Sequence, residues 1–119
     1  MKFSTGEIQG YRSGKWDAAL IVIQGNEADL GMHCALDRAV TLGRDLDVEL
    51  PLRDVGISRR HASVEKDVLG RYVVSDLGST NGTRVNQSRV DRHILQDGDV
   101  VHVGQTALRV RLALRTPGA

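Results

Sequence analysis

The sequence predicts an all-β fold, in which two antiparallel sheets pack face to face as a β-sandwich. Fourteen of the 119 residues are valine, and β-branched side chains favour the pleated, half-buried surface of a sheet. Short segments alternate apolar and polar residues, and turn signals separate them at intervals of about 8–12 residues. Because little of the chain has a helical pattern, a sandwich is favoured over a helical fold.

The predicted strands can be placed in order along the chain. An apolar, β-branched run opens the sandwich and ends at Gly25-Asn26, and Asp97-Gly98 introduces a later run rich in valine. The predicted strands cover residues 16–23, 36–42, 61–66, 72–77, 100–103 and 108–115.

The last predicted strand has the clearest alternation. Leu108 and Val110 point to one face, whereas Arg109 and Arg111 point to the other. This pattern is typical of a strand with one face in the core and one face in solvent.

The chain is long enough for one domain, which buries about two-thirds of its unfolded surface. Residues 1–15 are rich in Gly and Ser and poor in apolar side chains, and are predicted to be a flexible N-terminal tail. The domain is predicted to cover residues 16–115, and residues 116–119 form a short C-terminal tail.

Composition limits the class of partner and the compartment. Sixteen Lys and Arg balance fifteen Asp and Glu, so the net charge of +1 provides no general attraction to nucleic acid or to an acidic membrane. Cys34 is the single cysteine, no apolar run reaches the length of about 18 residues that spans a membrane, and the N-terminus has no signal-peptide core. We therefore expect a soluble cytoplasmic domain.

Three polar connections between the predicted strands contain the candidate binding residues. They read GR at residues 43–44, SRRH at 58–61 and DLGSTNGTRVN at 76–86. In a sandwich the loops cluster at the two ends, so these connections can meet at one apex. Guanidinium groups, short hydroxyls and backbone N–H groups are the donors that a doubly charged phosphate requires, and a carboxamide can bond the main chain of an extended peptide.

The order and spacing of these motifs resemble the forkhead-associated (FHA) domain, a family that reads phosphothreonine peptides. The resemblance extends from about Trp16 to Leu114 and implies a sandwich of about eleven strands with the binding loops at one end. It also implies a partner protein that contains phosphothreonine, marked by a Ser/Thr kinase, and no cofactor.

The resemblance assigns roles to individual residues. Arg44 and Ser58 correspond to phosphate contacts, and Arg59 and Thr80 lie where the family makes further contacts with phosphate or peptide. Asn81 matches the asparagine that grips the peptide main chain. The residues that shape the loops are Gly43, His61, Gly82 and Asn86.

Two positions leave specific questions. The glycine that commonly follows the loop asparagine is Gln87 here, which affects the local turn more than binding. Gly56, two residues before the phosphate-contacting serine, offers no charge where some relatives read the residue three after phosphothreonine. The family's preference for threonine implies a notch for its methyl group, and Ile57 is the candidate to line it.

Other functions are less well supported. Ser58, His61 and Asp76 could form a catalytic triad, but the first two lie only three residues apart near a strand start. The segment GSTNG also lacks serine at its centre, unlike a nucleophile elbow. The histidines do not have metal-ligand spacing: His33, His61, His93 and His102. A phosphate-independent interaction module on the same sandwich remains the alternative.

Overall fold

The computed structural model describes residues 16–114, which form eleven strands and no helix. The strands are β1 (Trp16–Gln24), β2 (His33–Ala35), β3 (Val40–Gly43), β4 (Leu50–Pro51), β5 (Ala62–Lys66), β6 (Tyr72–Asp76), β7 (Thr83–Val85), β8 (Ser88–Val90), β9 (Arg92–Ile94), β10 (Val100–Val103) and β11 (Thr106–Leu114). The predicted tails, residues 1–15 and 116–119, lie outside the described residues.

The strands form two sheets. One has five strands in the order β9-β6-β5-β3-β4, and the other has six in the order β2-β1-β11-β10-β7-β8. The two longest strands, β1 and β11, pair along their whole length, with one irregularity between Ala107 and Leu108. The predicted β-sandwich of about eleven strands is confirmed.

The core lies between the two sheets and follows the predicted alternation. From the six-stranded sheet, Val101, Leu108 and Val110 are fully buried. Leu42 and Val64 are equally buried in the five-stranded sheet and belong to the same apolar cluster. The arginines between the buried residues of β11 are exposed, as their alternation predicts.

One pairing differs from the prediction that the sheets are antiparallel. Strand β4 runs parallel to β3, with Leu42 opposite Leu50 and Gly43 opposite Pro51. As a consequence both strands point to the same end of the sandwich, and the segments that follow them leave from neighbouring positions.

The predicted strand over residues 36–42 is shorter than expected. Only β3 is extended and paired, although Leu36 is buried and its N–H donates to the carbonyl of Ala18 at 2.8 Å. The alternation of apolar residues therefore predicted the core positions in this segment but not the extent of the strand. Five strands of two or three residues have no predicted counterpart, since periodicity needs a longer run to be recognised.

The polar connections meet at one end of the sandwich, which we call the apex. Strands β3, β4, β6 and β10 end there, and β5, β7 and β11 begin there. Segments 44–49, 52–61, 77–82 and 104–105 therefore lie side by side. Within residues 16–114, no helix is long and apolar enough to span a membrane.

Candidate functional site

The first predicted motif is packed directly against the second. Gly43, the last residue of β3, has no room for a side chain, because a Cβ there would lie 1.8 Å from the carbonyl oxygen of Arg59. The next two N–H groups, from Arg44 and Asp45, donate to the carbonyls of Ser58 and Arg59 at 3.1 and 3.2 Å. Glycine thus allows these two backbone segments to lie against each other.

Arg44 is exposed and is oriented by one hydrogen bond. Its Nε donates to the carbonyl of Ile57 at 2.6 Å. Neither Arg44 nor the exposed Arg59 forms an ion pair with an acidic side chain of residues 16–114. Two guanidinium groups therefore stand at the apex with their charge uncompensated by the described part of the chain.

Ser58 and Thr80 connect the second and third motifs. The N–H of Thr80 donates to the Ser58 hydroxyl oxygen at 3.1 Å. The hydroxyl accepts this bond, so its own hydrogen is free to be donated to a ligand oxygen. Thr80 itself is exposed.

Asn81 forms a second link between the same two loops. Its Nδ2 donates to the carbonyl of Gly56 at 2.8 Å. No other described residue bonds its Oδ1, which can accept from a peptide N–H. The carboxamide is therefore held by one hydrogen bond to the domain, and Asn81 is exposed, so its Oδ1 and second N–H are accessible to a ligand.

His61 is a buried support of the apex. The side chain is fully buried; its Nδ1 accepts from the N–H of Ser58 at 3.1 Å, and its Nε2 lies 2.8 Å from the carbonyl of Gly82. Because Nδ1 is an acceptor, Nε2 must carry the hydrogen and donate to the carbonyl. The ring thus ties the Ser58 loop to the Gly82 loop, as its predicted loop-shaping role requires.

Gly82 and Asn86 both adopt left-handed backbone conformations, with φ of 85° and 57°. Asn86 is the one non-glycine residue in the described range with positive φ. Its Oδ1 accepts from the N–H of Val100 at 3.0 Å and its Nδ2 donates to Asp99 Oδ1 at 3.2 Å. The two-residue turn between β7 and β8 thus forms with Gln87 in place of glycine, since only its first residue has positive φ.

Asp76 organises the third motif, a role that its position in the sequence did not reveal. Its Oδ2 accepts from the N–H groups of Gly78 and Ser79, both at 3.0 Å, and its Oδ1 accepts from the hydroxyls of Ser79 and Thr83. Burial by itself raises the pKa of Asp76, but these hydrogen bonds outweigh it and lower the pKa below its ordinary value. An Asp followed by a hydroxyl three residues later was the available signal.

Asp54 is a second support that sequence reasoning missed. It is buried, and its carboxylate accepts from the N–H of Gly56, the N–H of Gln105 and the hydroxyl of Thr106 at 2.7–2.8 Å. Burial raises the pKa of Asp54, yet these donors reverse the effect and leave the pKa lowered. The carboxylate therefore fastens the Gly56 loop to the β10–β11 turn, a contact between distant segments that carries no local motif.

These loops line an open groove with a volume of about 360 Å³. Its lining includes all five residues predicted to contact phosphate or peptide: Arg44, Ser58, Arg59, Thr80 and Asn81. Ile57, the candidate for the methyl notch, also lines the groove, but only 3% of it is exposed and it belongs to the core. Val55, which sequence reasoning missed, is the apolar lining residue with a fully exposed side chain (98%).

The groove does not contain the hydrogen-bonded chain of a catalytic triad. The His61 ring accepts from the backbone N–H of Ser58 rather than from its hydroxyl, and Asp76 bonds the loop that follows it. Across residues 16–114, no three His, Cys, Asp or Glu side chains are grouped so that they could hold a metal ion.

Comparison with known proteins agrees with this arrangement. The family model of the FHA domain matches residues 40–104, more than half of the chain. The chain belongs to the FHA domain family. The match contains all three motifs of the apex, and strands β1, β2 and β11 lie outside the matched range.

The FHA domain is similar in sequence to a regulatory protein and in structure to a solved FHA domain. It is 40% identical over 102 residues to the glycogen accumulation regulator GarA of Mycolicibacterium smegmatis, covering 85% of this chain and 61% of GarA. A solved structure from an analysis of phosphothreonine-dependent FHA domain interactions has a TM-score of 0.74 and 32% identity, covering 83% of this chain and 99% of that one.

A third similar protein is a longer chain. Mycobacterium tuberculosis EmbR, solved in complex with a low-affinity phosphopeptide, has a TM-score of 0.72 and 30% identity, covering 86% of this chain and 26% of EmbR. The chain spans about three-fifths of the length of the first curated relatives that it matches.

Proposed function

We propose that this FHA domain binds a phosphothreonine-containing segment of a partner protein that a Ser/Thr kinase has marked. The observation that carries the proposal is the groove at the apex, which brings two uncompensated guanidinium groups, a free hydroxyl hydrogen and an exposed carboxamide together. The domain acts by binding rather than by catalysis, and we place it in the cytoplasm.

The donors match the chemistry of a phosphate monoester. Phosphothreonine carries a charge of about −1.5 to −2 at pH 7 and three acceptor oxygens. Arg44 and Arg59 supply charge and fork-shaped donors, and Ser58 supplies a short hydroxyl donor in the same groove. Asn81 bonds the peptide main chain beside the phosphate, which leaves the sequence of the peptide to other contacts.

The relatives support the same assignment. One structural neighbour was solved in an analysis of phosphothreonine-dependent FHA interactions, and EmbR was solved with a phosphopeptide. Both neighbours are at least 30% identical to this chain, so the similarity includes more than the fold.

The test is calorimetric titration with matched phosphorylated and unphosphorylated threonine peptides. A degenerate phosphothreonine library supplies the peptide. Arg44→Ala is expected to weaken binding at least tenfold, because a charge-assisted hydrogen bond contributes about 1.5–3 kcal/mol. Ser58→Ala should have a smaller effect.

Arg38→Ala is the matched control, because Arg38 is an exposed arginine outside the groove. It should leave affinity unchanged. Equal affinity of the phosphorylated and unphosphorylated peptides would contradict the proposal and indicate a phosphate-independent module. Unaltered binding by folded Arg44→Ala protein would contradict the role of Arg44.

A further inference from the structure

The outer face of the six-stranded sheet carries a group of arginines that phosphate binding does not use. Leu108 and Val110 of β11 are buried in the core. The residues that alternate with them, Arg109 and Arg111, are exposed and therefore point to solvent. Residues directly opposite each other on neighbouring strands share a face, so the row that crosses β11, β10, β7 and β8 lies on the same side: Ala107, His102, Arg84 and Arg89. We call the four arginines on this side of the sheet the arginine face.

The arginine face has no acidic partner within residues 16–114. All four residues are exposed, and none forms an ion pair with an acidic side chain of that range. Arg84 and Arg89 are directly opposite each other, and like charges in such a position destabilise a strand pair. Burial lowers the pKa of His102, and the positive charge of Arg84 beside it lowers the pKa further. An anion bound between these side chains would relieve the repulsion.

The residues between the arginines form a low, uncharged floor. Val100 lies opposite Arg109, and it and His102 are half-buried, whereas Ala107 is only 2% exposed. Strands in a sheet are about 4.7–4.9 Å apart, so Arg84 lies roughly 10 Å across the sheet from β11. The floor is therefore wide enough for one extended chain to lie between the guanidinium groups.

The spacing along β11 indicates the chemistry of the occupant. Arg109 and Arg111 are two residues apart in one strand, which separates them by about 6.6–6.8 Å. Acidic residues at alternate positions of an extended peptide have the same separation. Guanidinium groups also bind carboxylates with two parallel hydrogen bonds.

We propose that the arginine face binds an extended acidic segment of a partner protein, in which Asp or Glu occupies alternate positions. The charge of the segment is complementary to that of the face, and its period matches that of the strand. The bound carboxylates supply the partners that the four guanidinium groups lack within the described part of the chain.

A nucleic acid fits the arginine face less well. Among residues 17–113 the aromatic ring is that of Tyr72, which is buried in the core, so this range has no exposed ring on which a base could stack. The net charge of +1 also gives a long polyanion little attraction beyond the face itself. A short acidic segment contacts the face alone and is the favoured occupant.

The arginine face is separate from the phosphate groove. None of its four residues lines the groove. Arg89 marks the end of the face at the apex, because a Cβ at Gly82 would lie 2.8 Å from its Cζ. We expect both surfaces to be occupied at once, with a phosphorylated segment in the groove and an acidic segment on the sheet. The inference therefore goes beyond the proposed function and does not depend on it.

The experiment uses a fluorescein-labelled peptide in which four Glu alternate with Ser. Affinity for the whole chain is measured by fluorescence anisotropy at low ionic strength, where surface charges are least screened. A matched peptide with Gln in place of Glu should bind at least about tenfold more weakly, since each exposed ion pair is worth up to about fivefold in affinity. A peptide of the same composition with its four Glu contiguous should also bind more weakly than the alternating one.

A pair of substitutions assigns the binding to the arginine face. Arg84→Gln combined with Arg109→Gln should weaken binding of the alternating peptide at least about fivefold and leave the melting temperature unchanged, because both residues are exposed. Arg38→Gln combined with Arg92→Gln is the control, because it removes the same charge from exposed positions away from this face. The alternating peptide should shift the NMR signals of the Arg84 and Arg109 Nε–H groups but not that of Arg92.

Several results would overturn the inference. Equal weakening by the control pair would show that net charge, rather than the arginine face, binds the peptide. Loss of binding in Arg44→Ala protein would assign the acidic peptide to the phosphate groove. If none of the acidic peptides binds at low ionic strength, the face is not a binding surface for an acidic segment.

Two further results would assign the face to a different occupant. A short DNA duplex that binds more tightly than the alternating peptide, and whose binding Arg84→Gln with Arg109→Gln abolishes, would make it a nucleic-acid surface. A wild-type dimer that the same pair dissociates in analytical ultracentrifugation would assign it to a second copy of the chain. Failure of every phosphothreonine peptide to bind would contradict the proposed function and leave the arginine face unaffected.

Discussion

His61 shows how a single side chain can determine the shape of a binding surface without contacting the ligand. It is a polar ring in a fully buried position, with a hydrogen bond at each nitrogen, and each bond ends on a different loop of the apex. Buried polar groups are costly unless they are paired, so the ring and its two backbone partners stabilise one another only in this arrangement. The FHA domain thus uses histidine here for its geometry and not for acid–base chemistry.

His61→Ala is expected to lower both stability and affinity. The variant leaves an N–H of Ser58 and a carbonyl of Gly82 without partners and creates a cavity, so the free energy of unfolding should fall by about 2–4 kcal/mol and the melting temperature by about 10 °C or more. Differential scanning calorimetry and peptide titration measure the two effects. If affinity falls and the melting temperature does not, His61 contacts the peptide directly and the support role is wrong.

Phosphothreonine is expected to bind at least fourfold more tightly than phosphoserine in an otherwise identical peptide. The two differ by one methyl group, whose burial is worth about 0.8 kcal/mol, and the β-branched side chain is also stiffer. Ile57 and Val55 are the apolar residues that line the phosphate groove, and Val55 is the one exposed to a ligand. Calorimetry with both peptides measures the difference, and equal affinities would show that the groove has no methyl pocket.

The connection between β6 and β7 is organised by one carboxylate rather than by regular secondary structure. Asp76 holds two backbone N–H groups and two hydroxyls of the segment that contains Thr80 and Asn81. The Ser79 hydroxyl in turn accepts from the N–H of Gly82 at 2.9 Å. Since every donor favours the ionised carboxylate, the shape of the loop depends on pH in the acid range.

Asp76→Asn is expected to make the free energy of unfolding depend less steeply on pH in the acid range. The folded pKa of Asp76 lies below its ordinary value of 3.8, so the carboxylate stabilises the fold fully above that value, and the stabilisation is lost as pH falls through the lower folded pKa. Urea unfolding between pH 6 and about pH 2 measures this slope. At neutral pH the variant should be less stable than the wild type.

Asp47→Asn is the control, because Asp47 is exposed and its side chain accepts no hydrogen bond from the described residues. It should retain the acid slope of the wild type. An unchanged slope in the Asp76→Asn variant would show that other carboxylates determine the acid response of the FHA domain.

The two sheets are held together by one apolar core, and the apex depends on it. Strands from both sheets end at the apex, so the loops keep their relative positions only while the sheets remain packed. Hydrogen bonds such as those of Asp54 and His61 then join loops from different sheets: His61 belongs to the segment before β5, and Gly82 precedes β7.

Leu108→Ala is expected to destabilise the whole domain by about 2–5 kcal/mol, because Leu108 is fully buried in the core and the substitution leaves a cavity. Chemical denaturation measures the loss. Leu69→Ala, at a residue that is 71% exposed, should change stability by less than about 0.5 kcal/mol. A similar effect of both substitutions would contradict the position of Leu108 in the core.

The sequence alone predicted the fold class and five of the residues that line the groove. Alternation in β5 and β11 and the valine-rich β10 identified the core faces, since side chains on a strand alternate between two faces. The three motifs also carried enough resemblance to identify the family and to place Arg44, Ser58 and Asn81 among the groove residues. Their contacts with a phosphopeptide stay predictions until binding is measured.

The side chains that support the loops could be identified only in the folded structure. Periodicity reports which face of a strand is buried, but it does not report the partner of a strand, so the parallel pairing of β4 with β3 could not be read from the sequence. The same limit applies to Asp54, whose partners Gln105 and Thr106 lie about fifty residues away along the chain. Contacts between such distant segments arise because the packing of the two sheets brings separate connections together at the apex.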